Sequence, residues 1–92
     1  MKILHENNES KGSFFIKKEG KRIAEMTYSL AGSDRIIIDH TYVGEELRGQ
    51  GVGDKLVRKA VDFAREKSMS IIPLCPFARS VFNKNNELRD VL

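Results

Sequence analysis

The stretch Arg35-Ile36-Ile37-Ile38-Asp39-His40-Thr41-Tyr42-Val43 runs into Gly44-Glu45-Glu46-Leu47-Arg48-Gly49-Gln50-Gly51-Val52-Gly53, and this junction decides the fold. Three consecutive isoleucines predict a strand covered on both faces, hence central in a sheet. After the glycines the apolar period changes. Val52, Leu56, Val57, Ala60, Val61, Phe63 and Ala64 form one helical stripe, and the predicted helix ends near Lys67-Ser68. Met69 to Leu74 is short and β-branched and reads as a strand; Pro73 assigns it to an edge or to a point where pairing stops. Cys75-Pro76-Phe77 opens a second helix with proline at its favoured first position. Phe77, Ala78, Val81 and Phe82 are spaced for its buried side, and Asn83-Lys84-Asn85-Asn86 ends it. The unit from Arg35 to Leu74 has room for a right-handed parallel crossover.

Working back toward the N-terminus, Arg22 to Leu30 reads as a strand on the alternation of Met26, Tyr28 and Leu30. Glu19-Gly20 is a hairpin turn, and Ser13 to Lys18 is its other strand, with the Phe14-Phe15 pair split between core and outer cover. Glu6 to Gly12 reads as a polar loop, and Lys2 to His5 as a short start. Antiparallel strands followed by a βαβα unit make an α+β fold with a mixed sheet. At 92 residues the expected organisation is a single domain, residues 1–92. Hydrophobics at 40% and charged residues at 32% exclude a disordered chain, and no apolar run reaches the roughly 20 residues of a membrane span. The N-terminus lacks a signal-peptide core, so a cytoplasmic location is expected, with no membrane partner. A net charge of +3 with interleaved signs argues against a nucleic-acid partner. One cysteine and two histidines exclude a disulfide framework and give no metal-ligand spacing.

The chemistry concentrates in Arg48-Gly49-Gln50-Gly51-Val52-Gly53. Glycines at a strand-to-helix turn let backbone N–H groups converge and let a ligand approach closely. The helix N-terminus adds unpaired donors and a partial positive charge, and Arg48 adds a planar fork. The bland alternative is a connection whose glycines only permit a tight turn. Glycine inside a helix costs about 1 kcal/mol, which favours an anion site over that alternative. A P-loop of the nucleoside-triphosphate-binding type requires Lys-Ser/Thr where Gln50-Gly51 stand, and a dinucleotide fingerprint requires Gly-x-Gly-x-x-Gly and a later acid. Neither fits.

The spacing Arg/Gln-x-x-Gly-x-Gly/Ala does fit, and with it the sequence resembles the GNAT superfamily of N-acetyltransferases, in particular its very small single-domain members. Three segments carry the resemblance over nearly the whole chain: Ile38 to Val43, Glu46 to Gly53, and Pro73-Leu74-Cys75-Pro76-Phe77-Ala78. The resemblance implies a sheet that splays between the strand ending at Val43 and the strand ending at Leu74, with acetyl-CoA (coenzyme A) in the cleft. Its pantetheine arm would pair with backbone near Tyr42 and Val43, and its pyrophosphate would sit on the N–H groups of Arg48, Gly49, Gln50, Gly51, Val52 and Gly53. It further implies transfer of the acetyl group to an amine. Many members carry a tyrosine in the second helix to protonate the leaving thiolate; Ser80-Val81-Phe82-Asn83 here has none. A module that binds acyl-CoA without turnover is therefore the alternative. The resemblance also implies that this chain keeps the cofactor half of the fold, with an acceptor site that is open or supplied by a partner. The chain itself reads as a monomer.

Cys75 and His40 are the catalytic candidates. Cys75 stands at a helix N-terminus, where a thiolate is favoured and could carry an acyl group; the alternative is a small buried hydrophobe. His40 could take a proton from an amine or assist Cys75, or be a satisfied structural histidine. Strict alternation assigns Asp39 and Thr41 to one face, His40 and Tyr42 to the other. Asp39 is a secondary base candidate. His5 reads as an ordinary surface residue, Met26 and Tyr28 as core or cleft wall, and Arg58, Lys59, Arg65 and Lys67 as a solvated helix face.

Overall fold

The computed structural model describes residues 2–92. The chain runs β1 (Leu4–Asn7), β2 (Lys11–Lys18), β3 (Lys21–Leu30), β4 (Arg35–Val43), a short 3-10 turn (Glu45–Leu47), α1 (Val52–Lys67), β5 (Ser70–Pro73), α2 (Pro76–Lys84) and a terminal 3-10 turn (Asn86–Val91). The strands form one sheet in chain order, β1-β2-β3-β4-β5. The first four are antiparallel, and β5 lies parallel to β4 at the edge. The α+β mixed sheet expected from the sequence is the observed architecture, with β4 running over Arg35–Val43 as read.

The pattern of side chains explains the layering. Phe14, Ile16, Ala24, Met26, Tyr28, Ile36, Ile38 and Ile71 point to one face and pack with α1 and α2 residues in a single core. That face carries both helices and the terminal turn. The stripe read from the sequence supplies α1's share through Val52, Leu56, Val57, Ala60, Val61 and Ala64, all buried. Cover on both faces of the isoleucine run is not found. Ile36 and Ile38 are fully buried, whereas Ile37 on the outer face is only half-buried. The outer face is closed locally instead. Phe15 is buried beneath Arg22, whose guanidinium lies 3.7 Å from the ring centroid.

Two further expectations are corrected. Glu6 to Gly12 is not a loop: β1 extends to Asn7, β2 begins at Lys11, and only Asn8 to Ser10 turn. Asn8 builds that turn by accepting the N–H groups of Ser10 and Lys11 at 2.9 Å on its side-chain oxygen. The polar composition belongs to strands whose outer side faces solvent. Phe77 is not on the buried side of α2 but is exposed, lying over the start of α1. Arg58 and Arg65 of α1 also do more than solvate it. Arg65 binds Asp90 at 2.7 Å and the Glu87 carbonyl at 2.6 Å, and Arg58 donates to Asn85 at 3.0 Å, so they fasten the terminal turn. No helix among the described residues is long and apolar enough to cross a membrane.

Candidate functional site

The site begins where β5 leaves β4. The two strands pair from Arg35 with Ser70 to Ile38 with Pro73. The Ile38 carbonyl then accepts the N–H groups of both Leu74 and Cys75, each at 3.2 Å. Beyond that double contact β5 turns into α2, while β4 continues for five residues, Asp39–Val43, paired on the β3 side alone. An open strand edge and a widening cleft result, with Tyr42, Leu74 and Phe77 as exposed apolar residues around it.

At the far end of that edge the chain makes its glycine turn. Gly49 and Gly51 have φ of +80° and +71°, a left-handed conformation that a Cβ would strain. A Cβ on either would meet nothing within 4 Å, so the backbone angle rather than crowding requires glycine. Gly51 caps α1, and no side chain caps the helix, so its first N–H groups remain available. Gly53 meets a different demand: a Cβ there would lie 2.5 Å from the Phe77 ring. A cavity of about 350 Å³ opens between this turn and α2, lined by Val43, Arg48, Gly51, Gly53 and, from α2, Ser80 and Lys84. Arg48 is partly held in place, its Nε donating to the Val43 carbonyl at 3.2 Å; Gln50 turns inward to donate to the Glu46 carbonyl at 3.1 Å. An uncapped helix start, two left-handed glycines and the cations Arg48 and Lys84 suit a pyrophosphate.

The catalytic candidates separate across β4. Cys75 is buried as the N-cap of α2, and its Sγ contacts Thr41 Oγ1 at 3.4 Å. Burial pushes the thiol up, but hydrogen bonding by Thr41 and by the backbone N–H groups of Phe77 and Ala78 outweighs it, so the net shift is down. His40 is exposed and pairs with Thr27 on the outer face. Thr27 pairs with His40 and Tyr28 with Ile38, leaving Asp39 as the extra residue of a bulge. The Asp39 carboxylate accepts the Ser29 hydroxyl at 2.8 Å. Strict alternation therefore fails at this point. Asp39 shares the outer face with His40 and Tyr42, and Thr41, like Val43, turns to the helix side, where it meets Cys75.

Thr41, Phe77, Ser80 and Lys84 were not read as site residues from the sequence, Phe77 being assigned to the buried side of α2. The last three had a signal, since positions 77, 80 or 81, and 84 make one helical stripe facing the start of α1. His5 is exposed at its edge yet not an ordinary surface residue. It stacks on Phe14 at 4.1 Å, meets Phe63 edge-on and bonds the Tyr28 hydroxyl at 2.7 Å. Desolvation lowers its pKa.

Comparison with known proteins bears on this geometry. The sequence profile of the GCN5-related N-acetyl-transferase family matches residues 13–91. A GCN5-like protein of Staphylococcus aureus, solved in solution, is 38% identical with a TM-score of 0.72, over 98% of this chain and 85% of that one. The ribosomal-protein-alanine N-acetyltransferase of Brucella melitensis biovar Abortus superposes with a TM-score of 0.65 at 18% identity, and Tetrahymena GCN5 with 0.67 at 18%. The chain covers 84% of itself in each of these two and spans 62% and 51% of their lengths, a likeness of fold. No curated protein matches the sequence.

Proposed function

Because the chain belongs to the GCN5-related N-acetyltransferase family, we propose that it holds acetyl-CoA along the open edge of β4 and moves the acetyl group to an amine. The observation that carries this reading is the parting of the strands at Ile38, which leaves Asp39–Val43 without a neighbour on one side and leads straight into the glycine turn. An open strand edge offers backbone donors and acceptors to an extended amide chain, as an added strand would use them. The Tyr42 and Val43 backbone takes that part. The N–H groups from Arg48 to Gly53 take the pyrophosphate, supported by the side chains of Arg48 and Lys84.

Bound acetyl-CoA would supply a thioester: a nitrogen–carbon bond forms, the carbon–sulfur bond breaks, and CoA leaves as its thiolate. His40, exposed on the outer face of the same edge, accepts the proton that the amine sheds. Cys75 lies on the opposite side of the edge, where the leaving sulfur would be. Its lowered thiol supports a second reading, in which the Cys75 sulfur takes the acetyl group from CoA and then yields it to the amine.

Titration of labelled protein with acetyl-CoA tests the first step. Shifts at the amides of Gly49, Gly51 and Gly53 are expected, and silence there sinks the reading. Intact mass after incubation separates the routes. An adduct of one acetyl group, absent in Cys75→Ser, establishes the cysteine route; amine acetylation that survives Cys75→Ser establishes direct transfer. Binding with no acetylated amine in either protein makes the chain an acyl-CoA-binding module.

A further inference from the structure

The cavity at the glycine turn suits an anion, yet an acid stands in it. Its charged lining residues are Arg48, Lys84 and Asp54. Arg48 and Lys84 have no ion pair among the described residues. Asp54 is the third residue of α1, where a carboxylate is attracted by the free N–H groups of the helix start. Left to itself it would compete with a pyrophosphate for those donors and offset one of the two cations. Instead its Oδ1 accepts the Nε–H of Arg58, one turn further along α1, at 2.5 Å. From this contact, and resting on the acetyl-CoA reading above, we propose that Arg58 is a positioning residue for the cofactor. It holds the Asp54 carboxylate off the first-turn donors and cancels its charge, which leaves donors and cations to the pyrophosphate.

The bland alternative is an ordinary pair four residues apart on a helix surface, which contributes little to stability. Two observations separate Arg58 from that case. The pair is fixed rather than free. Arg58 Nη2 donates to Asn85 Oδ1 at 3.0 Å, and Asn85 Nδ2 donates to the Val81 carbonyl at 2.8 Å. The guanidinium is thus braced against the end of α2, and both members of the pair are half-buried. The second observation is place. Arg65 makes a similar contact at the other end of α1, with Asp90 at 2.7 Å, but neither of those residues lines the cavity.

Arg58 acts through Asp54, since it does not itself line the cavity. Its side chain therefore has no need to touch the cofactor. With Arg58 in place, Arg48 and Lys84 face the ligand without an opposing charge. With Arg58 neutral, Asp54 would present a carboxylate to a ligand that is itself multiply negative, and like charges at such range repel. The same carboxylate would be free to turn back onto the N–H groups of its own first turn. Removing the Asp54 charge as well should undo both effects, so the two residues act as one unit.

The test is calorimetric titration of the full chain with acetyl-CoA and, separately, with ADP, which carries a pyrophosphate but no pantetheine arm. The wild type is compared with Arg58→Gln, with Arg58→Gln combined with Asp54→Asn, and with Arg65→Gln, which loosens the terminal turn far from the cavity. At low salt Arg58→Gln should bind both ligands about tenfold more weakly. The loss should shrink in about 1 M salt. The double variant lacks the same tie to Asn85 but has no carboxylate to restrain, so its affinity should return to within about twofold of the wild type. Arg65→Gln should bind as the wild type does. A double variant as weak as Arg58→Gln overturns the proposal, because Arg58 would then act through packing alone. So does an equal loss in Arg65→Gln, or a loss that salt leaves unchanged. If the wild type ignores acetyl-CoA while ADP shows the expected pattern, the cofactor reading fails and the role of Arg58 stands. Equal binding of acetyl-CoA by every variant does the reverse.

Discussion

The two halves of β4 share one backbone and do opposite work. Arg35–Ile38 is paired on both edges and sends Ile36 and Ile38, both fully buried, into the core. Asp39–Val43 is paired on one edge and keeps Asp39, His40 and Tyr42 exposed. The first half is satisfied by its own protein, and the second leaves hydrogen-bonding capacity and surface for something else. Packing and open surface are therefore separated along the strand, with the Ile38 carbonyl as the dividing point.

Truncating one residue in each half should give the largest contrast. Ile38→Ala should cost about 2–5 kcal/mol, since the side chain is fully enclosed. In a chain this short that lowers the melting temperature by about 10 °C or more. Tyr42→Ala should change stability by only about 0.5 kcal/mol and instead weaken acetyl-CoA in calorimetric titration. If Tyr42→Ala melts as early as Ile38→Ala, the two halves are not separate in function. Next in size is Gly51→Ala. A left-handed residue with a Cβ costs about 1–2 kcal/mol, and the displaced turn should reduce acetyl-CoA affinity about tenfold.

Thr41→Val is a finer probe. It removes the hydroxyl that meets the Cys75 thiol, so the pH midpoint for alkylation of Cys75, expected below that of a free cysteine, should move up. An unchanged midpoint would leave the thiolate to the α2 backbone alone. The smallest effect lies furthest from the junction. The folded-state pKa of His5 is lowered, so the unfolded chain takes up the proton first as pH falls. Its contribution is full above the ordinary histidine value of 6.5 and is lost as pH drops through it toward the lower folded value. In His5→Phe the acid limb of the melting curve against pH should flatten; an unaltered limb would assign it to other groups.

The helical stripe from Val52 and the edge position marked by Pro73 were legible because burial on one face writes a period into the sequence. The glycine turn was legible because left-handed angles need glycine. The bulge at Asp39 was not. A single extra residue has no periodic signature, and strict alternation misassigns Asp39 relative to Thr41. The β1–β2 hairpin was hidden for a related reason. Its outward side chains are polar whether the backbone is a strand or a loop, and the turn depends on one asparagine side chain. The contact between Thr41 and Cys75, 34 residues apart, depends on how far β5 diverges, a tertiary quantity with no local trace. Phe77 reads as core by its type, yet it covers Gly53 from outside.

The chain-order sheet has a kinetic consequence. Every antiparallel pairing joins sequence neighbours across a short turn, so the meander from β1 to β4 closes by local contacts. Only β5 must wait for a crossover of 16 helical residues before it finds its partner. Contacts of large sequence separation form late, and a four-residue edge strand has few rungs to hold it. β5 is thus the last strand to dock and the first to release, so amide exchange there should outpace that of β3. The joint from which the cleft opens is also the least firmly closed part of the sheet, and a ligand lying across it would act as the missing rungs.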